Sequence, residues 1–377
     1  MKMVNTYLDY NATAPVWPEV IEGVTEAMKI GGNASSVHEL GRKASRLVEE
    51  AREKIASLVN AHPSQVIFTS GGTEANNLAL SQGRGGCVIL ASIEHDSILK
   101  AHTRAKLINV GSDGIICIDH MQSLLAGSSA GSIISVMLAN NETGVLQPIE
   151  HVSAMGRERG ALVHCDVIQA VGKIDVNWQA LDVDMMSLSA HKLGGPQGVG
   201  ALIVDEELDF LPCLKGGGQE RNRRAGTENV PGIVGFGIAV DLVRENKTQM
   251  DNTVQLRETM ENKLRSIIPE INIHGSSVER LPNTSCFSMP GVEAITQLVA
   301  LDLDGVMVSA GSACSSGKVT ASHVLKAMGL SNSEASSAIR VSLGWGSKLE
   351  DVEAFLSTWQ NLYISTRVDD QIKATAA

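Results

Sequence analysis

Between residues 64 and 204, short apolar, β-rich runs alternate with longer stretches in which hydrophobic residues recur at helical spacing. QVIFTS, CVILAS, GSIISVML, ALVHCD, DMMSLSA and GVGALIV are the strand candidates, and each closes near Gly, Asn, Asp, His or Ser. Strands that alternate with helices predict an α/β fold: a largely parallel sheet covered on both faces. Ligands of such sheets bind beyond the carboxyl ends of the strands. Ser70-Gly71-Gly72-Thr73, His95, Asn140-Asn141-Glu142, Asp166 and Lys192 each fall just after a strand candidate, so the polar stops share one rim.

Downstream, KGGGQERNRRAGTENVPG begins at Lys215 as a glycine-rich connection, and one long helical segment is predicted from about Ile233 to Ile268. The pair is expected to link two domains. From about Pro269 the chain reads as a smaller α+β unit. In it, SAGSACSSGKVTAS is too small and polar to pack as a core element and predicts a mobile surface loop.

Length agrees with this division, since 377 residues exceed what one hydrophobic core usually supports. A formal charge of −11, with no run of Lys and Arg, would repel a phosphate backbone and argues against nucleic acid as a partner. The N-terminus MKMVNTYLDYNATAP lacks the apolar core of a signal peptide, and the longest apolar run, around Val230 to Val240, is too short for a bilayer. A cytoplasmic protein without membrane contact is expected. The six cysteines (Cys87, Cys117, Cys165, Cys213, Cys286, Cys314) show neither CxxC nor Cys/His ligand spacing, so no metal site or disulfide framework is predicted. Most are expected to be free and buried thiols.

A lone lysine is ordinarily a solvated surface residue, but Lys192 in SLSAHKLGGPQGVG follows a strand and precedes a Gly-Pro turn. There a long amine can be buried yet reach a ligand aldehyde as a Schiff base. Asp166 at the end of HCD is a carboxylate for a pyridine nitrogen, and Gln169, three residues on, is spaced to reach a ring hydroxyl. Gly71-Gly72-Thr73 opens the helical TEANNLALSQG, whose free N–H groups and dipole suit a phosphate. Amine, carboxylate and phosphate donors together are what pyridoxal phosphate requires, because its ring draws electrons only while the nitrogen is protonated. The nucleotide P-loop pattern GxxxxGK[ST] is absent. His95 in ASIEHDSIL could lie over such a ring and move protons, or be a satisfied structural histidine. Arg340, within the apolar SSAIRVSLGW, needs an anion: either a substrate carboxylate or an internal ion pair. Cys314, in a Ser/Gly/Ala loop with Lys318 nearby, could swing a nucleophilic thiol toward a substrate.

Taken jointly, these segments resemble the NifS/IscS-type cysteine desulfurases, within the pyridoxal-phosphate-dependent class V aminotransferase group. The likeness runs almost end to end: YLDYNATAP, GNASSVHELGR, FTSGGTEANNLA, LANNETGVLQPI, HCDVIQAVGK, SLSAHKLGGPQGVGAL, GGGQERNRRAGTENV, LPNTSCFS, SAGSACSSGK, SHVLKAMGL and IRVSLGW. The resemblance implies a fold-type I transferase whose large domain, residues 13–255, carries a mostly parallel seven-stranded sheet. Residues 1–12 and 256–377 would form the small α+β domain with the mobile cysteine loop at 309–320. Lys192 would be the Schiff-base lysine, with Asp166 at the ring nitrogen and Asn141 and Gln169 near the ring hydroxyl. Gly72, Thr73, Ser189 and His191 would hold the phosphate, joined by Thr227 from a neighbouring subunit, which implies a homodimer. Arg340 and Asn33 would meet the carboxylate of L-cysteine. Cys314 would take the substrate sulfur as a persulfide, with alanine as the second product and His95 as a proton donor or acceptor. Sulfur would then pass to an acceptor such as an iron–sulfur cluster scaffold.

Two departures lie away from the chemistry: Ala34 stands where the family often has Pro, and Ala14 where it often has Thr. The tail NLYISTRVDDQIKATAA does not resemble the scaffold-docking segment of the IscS branch, and RRAGTEN leans toward NifS. The competing readings are a selenocysteine lyase or another class V aminotransferase, which would not require Cys314, and a non-enzymatic sulfur carrier on the same fold.

Overall fold

The computed structural model describes residues 6–129, 131–313 and 319–376. Its centre is a sheet of seven strands among the described residues. In chain order they are β1 (Val66–Thr69), β2 (Val88–Ala91), β3 (Lys106–Ile108), β4 (Ile133–Ser135), β5 (Leu162–Asp166), β6 (Met185–Ser189) and β7 (Gly200–Val204). Across the sheet the order is β1-β7-β6-β5-β4-β2-β3. All neighbours are parallel except β7, which runs antiparallel to both β1 and β6. All six strand candidates form strands. The seventh, β3, is a three-residue edge strand whose central Leu107 is 45% exposed, too short and too wet to show a period.

Alternate residues of each strand enter cores on opposite faces, as the two-residue period demands. Ile67, Leu90, Met185 and Leu202 pack beneath the helix Gly72–Leu80. Phe68, Ile89, Met186 and Ile203 pack on the other side with residues of the helices Glu39–Leu58 and Val230–Glu245. Both faces are therefore dry, which fits the near-continuous hydrophobicity of the strands.

A separate core gathers Leu8, Met260, Leu264, Phe287, Ile339, Phe355 and Trp359. It lies against a three-stranded antiparallel sheet in the order Ser309–Ala310, Ala338–Ser342, Thr284–Ser288. Thr6–Tyr7 joins this part of the chain by pairing parallel with Val306–Met307.

Three expectations are corrected. The predicted single helix is two, Val230–Glu245 and Lys247–Ile267, because Asn246 leaves helical geometry (φ −105°, ψ 24°). Its side-chain Nδ2 and its own N–H both donate to the Leu242 carbonyl, the competition by which Asn interrupts helices. The segment SAGSACSSGKVTAS is not wholly a surface loop: Ser309 and Ala310 are an edge strand, Ala310 is buried, and Ser312–Ala313 pairs antiparallel with Val319–Thr320. The five described cysteines are free thiols, but only Cys165 and Cys286 are buried; Cys87 is half-buried, and Cys117 and Cys213 are exposed.

The glycine-rich connection is also anchored rather than loose. Glu220, Arg221 and Asn222 sit consecutively in the left-handed region (φ 45°, 56° and 64°), a strained run for residues with a Cβ. What holds it is the carboxylate of Glu220, which accepts two hydrogen bonds of 2.9 Å from the buried Arg52 and one of 2.8 Å from the Phe68 N–H. Arg52 also donates to the Val66 carbonyl and lies over the Phe68 ring. Removing one partner of a buried pair strands the other charge. Glu220→Gln is expected to destabilise the protein by about 3 kcal/mol, the low end of that range because Glu49 still contacts Arg52 Nε. The check is the denaturant midpoint; an unchanged midpoint would contradict it.

Candidate active site

The carboxyl ends of the strands open onto a cavity of about 340 Å³. Lys192 enters it from a short 3₁₀ turn, Ala190–Lys192, directly after β6. Its Nζ donates to the carbonyls of Asn11 (2.6 Å) and Ala12 (2.7 Å). Burial, helped by the Arg340 guanidinium and opposed by Asp9 and Asp166, lowers its pKa to about 8. An unperturbed lysine, near 10.4, would be almost wholly protonated at neutral pH. Lys192 keeps a useful fraction of neutral, nucleophilic amine.

Asp166 closes β5 on the cavity wall. Its Oδ2 accepts from Asn76 Nδ2 (2.8 Å) and its Oδ1 from the Ile168 N–H (2.9 Å). Burial pushes its pKa up, while these hydrogen bonds and then His95 and Lys192 favour the carboxylate. Behind it, Glu94 is fully buried and accepts from the Met137 N–H, and desolvation raises its pKa well above the usual range. The shift favours the protonated form of Glu94, which would spare Asp166 a second negative charge.

His95 caps the short helix Asp96–Leu99 and lines the cavity. Its Nδ1 accepts from the Ser97 N–H at 3.1 Å, and since a backbone amide can only donate, the proton of the neutral ring sits on Nε2. Burial lowers its pKa, so the neutral ring prevails near neutral pH.

The other end of the cavity is built by the first turn of the helix Gly72–Leu80, whose N–H groups lack intrahelical partners. Gly71 reaches φ 149°, ψ −179°, a backbone state open essentially to glycine alone, and this aims the turn at the cavity. Gly72, Thr73, Ser189 and His191 all border it. Burial and the neighbouring Lys192 hold His191 near a pKa of about 4, and its Nδ1 lies 3.1 Å from Thr13 Oγ1. Glu74, on the same turn, is neutralised by Arg224 at 2.7 Å. The outer side of this end is open, bordered by Thr13, Gln197 and Gly198.

Asn141 and Gln169 complete the lining. The Oδ1 of Asn141 is buried with no hydrogen-bond partner among the described residues. Gln169 donates to the Asn11 carbonyl (2.9 Å) and accepts from Lys173 (2.7 Å), which also reaches Asn11 Oδ1 (2.7 Å). Arg340 does not line the cavity. It forms the internal ion pair, with Asp9 at 2.7 Å, and donates to the Asn141 carbonyl at 2.9 Å, leaving its buried Nε without a partner. Asn33 is exposed, its Oδ1 accepting from the Ser35 N–H, and Thr227 is exposed; neither reaches the cavity. Cys314 lies outside the described residues.

Sequence reasoning passed over Asn11, Asn76 and Lys173. The available signal was Lys173 itself, a lysine among the apolar residues of QAVGKI, an expensive place for an ammonium. Desolvation pushes its pKa well below the usual lysine range.

Residues 6–355 match the model of the aminotransferase class-V family. A cysteine desulfurase of the cyanobacterium Nostoc sp. is 40% identical over 351 residues, covering 89% of this chain and 87% of that protein. The crystal structure of a NifS-like protein from Rickettsia africae superposes with a TM-score of 0.88 at 37% identity, over 96% of this chain and 99% of that one. The structure of SspA in complex with cysteine is similar with a TM-score of 0.74 at 30% identity, over 90% and 98% of the respective chains.

Proposed function

The chain belongs to the aminotransferase class-V family and is a cysteine desulfurase within it; from that premise we propose which cofactor and residues carry the reaction. The observation that supports the assignment best is the pairing of Lys192, a half-buried amine of lowered pKa, with Asp166, a buried carboxylate, on one cavity wall.

Pyridoxal phosphate fits these residues. The partnerless Asn141 Oδ1 is a polar atom that a ligand would satisfy, and the glycine-opened helix start supplies an anion cradle. When bound, the cofactor supplies an electron sink for bonds broken at the substrate Cα and Cβ. Asp166 would hold the ring-nitrogen proton, Gln169 and Asn141 would serve the ring hydroxyl, and Gly72, Thr73, Ser189 and His191 would hold the phosphate. Arg340 would receive the carboxylate of L-cysteine only by exchanging its ion pair with Asp9 for it, and Asn33 only by leaving its exposed position outside the cavity. Lys192 would move the Cα proton. The thiolate of Cys314 attacks the substrate sulfur: an S–S bond forms, the Cβ–S bond breaks, and His95 exchanges protons with the departing group. The balance is L-cysteine plus the Cys314 thiol giving L-alanine plus a Cys314 persulfide.

Homodimerisation is part of the reading. Thr227 finds no place in its own cavity, the phosphate end is open on one side, and Ile21, Met28 and Val37 are 57%, 67% and 88% exposed. A neighbouring subunit's Thr227 would close that side. No helix among the described residues is long and apolar enough to cross a membrane, and we keep the cytoplasm as the place of action. The sulfur acceptor we favour is an iron–sulfur cluster scaffold. Residues 13–255 are taken as the cofactor domain and residues 1–12 with 256–377 as the second.

Anaerobic incubation of the cofactor-loaded protein with L-cysteine should give alanine and protein-bound persulfide in equal amounts in the first turnover. Alanine without persulfide would overturn the sulfur-acceptor role. A second experiment follows from Lys192. With a pKa of about 8, its neutral amine rises from about one tenth at pH 7 to about nine tenths at pH 9. Development of yellow colour on adding pyridoxal phosphate to apo-protein should therefore accelerate about tenfold over that interval and level off above it. A rate still climbing toward pH 10 would mean an ordinary lysine.

A further inference from the structure

Glu142 takes no part in the reaction described, yet it is fully buried, 1% exposed, one residue from Asn141. Its turn is fixed to the large sheet: the Glu142 and Thr143 N–H groups donate to Asn140 Oδ1 (2.9 and 3.0 Å), and Asn140 Nδ2 donates to the Ile93 carbonyl. The carboxylate points the other way, toward the part of the chain that carries Cys314. There Ser322, 2% exposed, donates its hydroxyl to Glu142 Oε2 at 2.5 Å while accepting from the Leu325 N–H at 3.1 Å, so one hydroxyl both caps a helix and binds the carboxylate.

Gly311 meets the same carboxylate oxygen. A Cβ built on it would fall inside the contact distance of Glu142 Oε2 and would lie 3.0 Å from Ser322 Cβ. Only a residue without a side chain lets the strand Ser309–Ala310 run so close to this oxygen. One oxygen atom thus meets the chain on both sides of residues 312–321.

We propose that Glu142 is a positioning residue that pins Gly311 and Ser322 to the cofactor domain and so fixes the point from which Cys314 reaches the substrate. The inference rests on the reading of Cys314 as sulfur acceptor. Its force comes from chain length: Cys314 follows Gly311 by three residues, which span at most about 10 Å. With Gly311 pinned, that chain length bounds how far residue 314 can lie from a point set by the cofactor domain. With the pin loosened, its effective concentration at the substrate falls, although nothing at the cofactor has changed.

The test uses the cofactor-loaded protein and three variants: Ser322→Ala, which removes the donor, Gly311→Ala, which drives a methyl into the carboxylate, and Ser322→Thr, which keeps the hydroxyl. Three quantities are read: the absorbance change with L-cysteine, the first-turnover rate of persulfide formation on Cys314 by mass spectrometry, and amide exchange in peptides covering 305–330. Ser322→Ala and Gly311→Ala are expected to slow persulfide formation at least about tenfold while the cysteine concentration for half the absorbance change stays within about twofold. Both should speed exchange at Leu325 and neighbouring amides, and Ser322→Thr should restore rate and exchange together. Unchanged exchange in both disruptive variants, or a Thr variant as slow as Ala, would overturn the pin. Should the unaltered protein form persulfide at a cysteine other than Cys314, the functional reading fails, and the exchange data still decide whether Glu142 holds the segment.

Discussion

Cys314→Ala protein should bind pyridoxal phosphate, stay yellow, and change its absorbance when L-cysteine is added, yet release alanine at least about a thousandfold more slowly. The separation of the two readouts is the point. Every residue lining the cavity belongs to the described strand ends and their turns, and the variant alters none of them. Cofactor uptake and substrate binding should be those of the unaltered protein. Cleavage of the Cβ–S bond has no comparable acceptor among the described residues, because none of Cys87, Cys117, Cys165, Cys213 and Cys286 lines the cavity, and burial pushes the Cys165 and Cys286 thiols up in pKa, away from thiolate. Normal turnover by Cys314→Ala would reject the persulfide route and restore the selenocysteine-lyase or aminotransferase alternative.

Lys192→Ala removes a different part of the machinery and should leave a different trace. In the proposed reaction the amine that anchors the cofactor is also the base for the Cα proton, so the variant should lose colour on gel filtration. Supplying excess cofactor should not recover activity to within about 10²–10⁴ of the original. Methylamine added with the cofactor would restore part of the anchoring function and little of the positioned proton transfer. The fold should persist, since Lys192 donates only to the carbonyls of Asn11 and Ala12 among its described contacts. A variant that retained colour and turnover would place the cofactor elsewhere.

The central sheet was legible because its strands are short, apolar and punctuated by polar stops, and because a sheet covered on both faces writes its pattern locally. The same locality exposed Lys192, Asp166, His95 and the Gly71–Thr73 turn, each at the end of a strand or within four residues of it. What stayed hidden depends on partners far away in sequence. The ion pair of Arg340 with Asp9 spans 331 residues, so the sequence left the choice between a substrate clamp and an internal pair open. The break at Asn246 was hidden for the opposite reason: it turns on one side-chain amide taking the Leu242 carbonyl, a choice finer than hydrophobic periodicity resolves. The exposure of Cys117 and Cys213 shows that the average burial of a residue type is no guide to a single position.

The first described residues lie among nearly the last. Thr6–Tyr7 pairs with Val306–Met307, the Asn11 N–H donates to Ser342 Oγ, and Asn11 supplies the carbonyl that holds Lys192. During synthesis on the ribosome, the opening segment must therefore wait, unpaired, until more than 300 further residues have emerged. At about 5–20 residues per second that delay is tens of seconds. The central sheet has time to form meanwhile, whereas the pocket around Lys192 matures only after Ser342 has emerged, so capture of the proposed cofactor would come after the sheet it binds to has formed.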